Sequence, residues 1–62
     1  MYKQKLQLII DLLNSSLDDA IKFDAGNDAA GKRIRKDCQT AKAELQKLRI
    51  EVQEERNDRK QK

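Results

Sequence analysis

The sequence contains no histidine, no proline and no tryptophan, one cysteine, two glycines, and a single Tyr and Phe. Each shortage removes a class of molecule. Without His or a cysteine pair there is no ligand set for structural zinc, and Cys38 alone cannot close an intrachain disulfide. No Ser sits beside a base and no carboxylate pair lies in an apolar setting, so neither catalysis nor a cofactor is implied. Asp18-Asp19 reads as a solvated pair rather than a metal site. Leu8-Ile9-Ile10 and Leu12-Leu13 are separated by Asp11, far too short an apolar run for a bilayer span or a secretory signal. A cytoplasmic protein with a reduced thiol is therefore expected. At 62 residues the chain is a single unit that buries a poor fraction of its surface. With disulfides and metal set aside, oligomerisation is the remaining way to complete its core.

What is present is charge and helical periodicity. Charged residues make up 40% of the chain, and the Leu/Ala/Lys/Glu/Gln-rich mix without proline reads as long helices or coiled coil rather than disorder. The net charge of +3 is unevenly placed. Residues 1–26 carry three Lys against four Asp, a net −1; residues 27–62 carry eleven Lys/Arg against seven Asp/Glu, a net +4. The basic half suits a polyanion partner.

Apolar residues at Leu6, Ile9, Ile10, Leu13, Leu17, Ala20 and Ile21 have helical spacing and predict a first helix over about 3–25. With Leu12 and Phe23 at its margin, this band covers roughly half the helix, more than one neighbour needs. Leu8 lies off it. Ala25-Gly26-Asn27-Asp28 is the one break: Gly26 suits a left-handed helix end, Asn27 an N-cap, and Asp28 the positive start of a helix. A turn at 26–27 and a second helix over about 28–59 follow, with a frayed basic end at 60–62.

In the second helix Ile34, Cys38, Ala41, Leu45, Leu48 and Val52 form a heptad seam. Asp37, Glu44, Glu51 and Asp58 recur every seven residues on one flank, and Arg35, Lys42, Arg49 and Arg56 on the other. In a parallel pair of second helices these flanks are complementary, Asp37 facing Lys42, Glu44 facing Arg49 and Glu51 facing Arg56. Alternatively, both stripes are solvated flanks of a hairpin. The expected fold is all-α: an antiparallel helical hairpin with a longer second helix, assembling as a dimeric helical bundle or coiled coil. The expected dimer interface is Leu6, Ile10, Leu13 and Leu17 with Ile34, Cys38, Ala41, Leu45, Leu48 and Val52.

Four of the five residues from Lys32 to Lys36 are cationic, on the first two turns of a helix, where unpaired N–H groups and the helix dipole already favour phosphate. Lys32, Arg33, Arg35 and Lys36, with Lys47 further along, are the candidate contacts to duplex phosphates. Gly31 is a poor helix residue, retained either for helix packing or for close approach of a DNA backbone. Base readout has no support: no helix carries recognition-helix spacing, and aromatics for stacking are absent.

The run GNDAAGKRIRKDCQTAKAELQKLR, residues 26–49, resembles the core of bacterial linker-histone-like nucleoid proteins. Gly26, Asn27, Ala29, Ala30, Gly31, Arg33, Arg35 and Lys36 follow that pattern, and Lys47 and Arg49 match its later basic positions. The resemblance spans roughly residues 17–55. It implies a non-specific, histone-like DNA-binding protein contributing to nucleoid organisation, cytoplasmic and without catalysis. Some members carry a long Lys/Ala/Pro-rich tail, which these 62 residues do not include, so binding is expected of the folded basic core. The rival expectation is a coiled-coil assembly or adaptor protein whose charges serve helix pairing. A membrane-surface helix has little support, since the second helix's apolar stripe is narrow.

Overall fold

The structure is a computed structural model and describes residues 1–61. Two helices, α1 (Tyr2–Asp24) and α2 (Asp28–Gln61), make up the described chain, which contains no strand. They run antiparallel along a rod 55 × 16 × 11 Å. Residues 60 and 61, expected to fray, carry helical backbone; Lys62 lies outside the described residues.

The turn is built from the residues that its chemistry requires. Gly26 adopts φ +105°, a conformation costly for any residue with a Cβ. The Gly26 N–H donates to Phe23 O (2.9 Å) and the Asn27 N–H to Lys22 O (2.9 Å), the paired bonds of a Schellman end. Asn27 then caps α2 by accepting the Ala30 N–H on its Oδ1 (3.3 Å). The Phe23 ring lies against Gly31, where a Cβ would stand only 2.6 Å from the ring's Cε1. Close packing of the helices accounts for the glycine.

Every third or fourth residue of α1 turns to α2: Tyr2, Lys5, Ile9, Leu12, Ser16, Asp19 and Phe23. The core is thin. Ile9, Ala41 and Leu48 are buried together, with Tyr2 and Leu12 packed on them, and Ala30 is buried beside the turn. Burial of one Leu or Ile contributes about 1.5–3 kcal/mol, so two such side chains and two alanines make a marginal core. Polar contacts bracket it. Ser16 Oγ donates to Asp37 Oδ2 (2.6 Å), Lys5 pairs with Glu51, and the Tyr2 hydroxyl donates to the Glu51 carbonyl (3.4 Å). The Lys5 ammonium also lies 5.4 Å from the centre of the Tyr2 ring.

These contacts give the acidic stripe partners within the hairpin. Asp37 and Glu51 meet Ser16 and Lys5 of α1. The face of α2 that enters the hairpin combines Ile34, Ala41 and Leu48 with the neighbouring Asp37 and Glu51. The reason is geometric: the short turn folds α1 back at once, and α1 covers the Ala41 and Leu48 part of the seam. Cys38, Leu45 and Val52 remain exposed beside that contact.

Candidate nucleic-acid interface

The cations at the start of α2 fall into two groups. Lys32, Arg35 and Lys36 are exposed and, with Gln39, line one shallow groove on the outer side of α2. Lys47, eleven residues beyond Lys36 and so about three turns along, is exposed on the flank of α2, where it lines the groove between the helices with Lys5, Leu8 and Glu51. Among the described residues these four take part in no ion pair within 4.0 Å. Arg33 differs. Its guanidinium turns back to α1, with Nη2 2.9 Å and Nε 3.0 Å from Asp19 Oδ1. That hydrogen bond holds the Asp19 carboxyl below its ordinary range and raises Arg33 above its own. Arg33 still leaves half its side chain in solvent.

The ten residues expected between chains divide as well. Ile34, Ala41 and Leu48 lie within the hairpin, the first half-buried and the other two buried. Leu6, Ile10, Leu13, Leu17, Leu45, Val52 and Cys38 are exposed. Leu13 meets Cys38, Ala41 and Leu45 across an open groove whose α2 edge carries Lys42 and Arg49. Leu8, off the apolar band, is 70% exposed and lines a separate groove with Leu12, Thr40 and Lys47.

Three contacts went unforeseen in the sequence: Asp19–Arg33, Ser16–Asp37 and Lys5–Glu51. A signal for them exists, since the partners of each pair stand at nearly matching distances before and after the Gly26–Asn27 turn. Among the described residues no group of His, Cys, Asp or Glu could hold a metal, and no helix is long and apolar enough to cross a membrane.

Fold and surface together define a small all-helical protein with a cationic outer face on its second helix. The chain belongs to the family described as histone H1-like protein Hc1, whose model matches residues 3–58, nearly the whole chain. No curated protein and no solved structure matches it significantly.

Proposed function

We propose that this protein is a non-specific DNA-binding, histone-like protein that contributes to nucleoid organisation, held by electrostatic contact with duplex phosphates and performing no catalysis. The supporting observation is the group of exposed cations Lys32, Arg35 and Lys36 on the outer side of α2, with Lys47 on its flank, none of them in an ion pair among the described residues, in a chain of the histone H1-like family. Lys32 and Lys36, one turn apart, are the centre of the contact. Arg35 reaches it from the edge, and Arg33 joins only when it leaves Asp19. Contacts of this kind position a protein on the duplex without reading bases. They draw their free energy from release of condensed counterions. A second copy of the hairpin covers the exposed apolar residues, giving a dimer with two cationic faces that can bridge or bend DNA. A cytoplasmic, nucleoid-associated location follows from that role.

The test is Lys32→Ala with Lys36→Ala, read by fluorescence anisotropy on a labelled duplex in about 0.1 M salt. Each phosphate contact contributes a salt slope near −0.9, so loss of two weakens binding by about 10- to 60-fold. Helicity stays unchanged, because both side chains are exposed. Unchanged affinity would reject this face. A protein that assembles but is indifferent to DNA would instead favour the adaptor reading, which the regular spacing of charges on α2 keeps in view.

A further inference from the structure

We infer that the stripe Lys42, Arg49, Arg56 and Lys60 of α2, with Gln46 and Gln53 between them, is a second phosphate track, on which one chain holds a second duplex beside the one at Lys32 and Lys36. The inference rests on the proposed function and assigns both duplexes of a bridge to the same hairpin.

The stripe is distinguished by what is missing around its charges. On an exposed helix face an acid three or four residues away stabilises a cation. Elsewhere in α2 such partners are present: Arg33 has Asp37, Lys47 has Glu44 and Glu51, and Arg59 reaches Glu55 at 3.5 Å. Lys42, Arg49 and Arg56 have no acid three or four residues away on either side. Four residues after each stand Gln46, Gln53 and Lys60. Positions 42, 46, 49, 53, 56 and 60 therefore read Lys, Gln, Arg, Gln, Arg, Lys, a row in which every side chain donates hydrogen bonds and none is a carboxylate. All six are exposed, and among the described residues none of the four cations is in an ion pair within 4.0 Å. Glu54 shares a shallow groove with Arg49, Ile50 and Gln53 without pairing with Arg49. Lys, Arg and Gln are side chains that bind phosphate oxygens and position a protein on a duplex. The row is about 27 Å long, most of one helical turn of about 34 Å.

Geometry separates this track from the first. At about 100° per residue, the stripe is centred roughly a third of a turn around α2 from the mean direction of Lys32, Lys36 and Lys47. Arg35 and Gln39, which share a groove with Lys32 and Lys36, stand between the two. A duplex stays straight over about 50 nm and so meets a rod of 55 × 16 × 11 Å along one line. One duplex cannot follow both tracks, and each is open to its own. The first has the positive start of α2 behind it and fills first. The stripe fills second.

The experiment fixes one duplex of about 20 base pairs to beads, loads the full chain at low salt, and adds a labelled second duplex. Wild type is expected to capture it, with an affinity that falls about 40- to 150-fold between about 50 and 200 mM salt, as three to four phosphate contacts require. Lys42→Gln with Arg49→Gln is expected to weaken capture by about tenfold or more and to leave the affinity for a single duplex, read by anisotropy, within about twofold. Glutamine is a good helix former, so the helix is kept. Lys3→Gln with Arg59→Gln removes the same charge elsewhere and is expected to capture as wild type does. Capture unchanged in the stripe variant would overturn the inference and give the second duplex to a second copy of the chain. Equal loss in both variants would overturn it in favour of net charge alone. A stripe variant that also loses the first duplex would overturn it by making the stripe part of a single site. Wild type that binds one duplex and captures no other rejects only this inference; wild type that binds none rejects the proposed function as well.

Discussion

Arg33 is the one cation of the Lys32–Lys36 cluster held by an acid, and releasing it has a calculable consequence. Asp19→Asn keeps the shape of the side chain but removes the charge facing the guanidinium at 2.9 Å. Arg33 then competes for phosphate on equal terms with Lys32 and Lys36. One added phosphate contact steepens the slope of log K against log salt by about 0.9, which at 0.1 M salt is up to about an eightfold gain in affinity. The hairpin loses little stability, since Arg33 leaves half its side chain in solvent, which screens the pair although Asp19 is mostly covered, and the asparagine oxygen can still accept from the guanidinium. The assay is anisotropy of a labelled duplex of about 20 base pairs between 50 and 300 mM salt. Asp58→Asn changes the net charge equally but lies far from Arg33 on α2, and so reports the general effect of charge. If Asp19→Asn and Asp58→Asn give the same affinity and the same slope, Arg33 has no latent role and the reasoning is refuted.

Two further outcomes follow from the same contacts. Gly31→Ala should withhold the roughly 1 kcal/mol that alanine adds in an open helix interior, because its Cβ would displace the Phe23 ring. Thermal unfolding by circular dichroism should show no rise in Tm, whereas a rise of about 4–8 °C would mean that the ring moves aside freely. Stability should be flat between about pH 5 and 9. Hydrogen bonds from Arg33 and Lys5 hold the Asp19 and Glu51 carboxyls below their ordinary values, so their contribution is present above the normal carboxylate range and lost as pH falls through it. Glu51 raises Lys5 above the normal lysine value, so that contribution is complete below about pH 10 and fades at higher pH. Denaturant midpoints against pH check this, and a maximum at acid pH would contradict it.

The helices, the turn and its cap were legible because each rests on local chemistry. Gly26 takes the left-handed conformation, Asn27 caps α2, and apolar residues recur at helical spacing. The seam of α2 was harder to assign. Ile34, Ala41 and Leu48 serve a hairpin partner or a second chain equally well, and periodicity carries no information on which neighbour fills the seam. The acidic stripe is ambiguous for the same reason: its spacing fits pairing between chains, and Asp37 and Glu51 also reach Ser16 and Lys5 within the hairpin. The cationic cluster was visible as composition, but the state of Arg33 was not, since Asp19 is remote in sequence and meets it only after the turn closes. Gly31 could be read two ways until Phe23 was placed beside it.

Salt dependence of duplex binding tests the central claim most directly. If exposed Lys32, Lys36 and Lys47, with or without Arg35, meet phosphates, log K falls with log salt at a slope between about −2.5 and −4 per chain. A slope shallower than about −1, or no binding at low salt, would contradict the account.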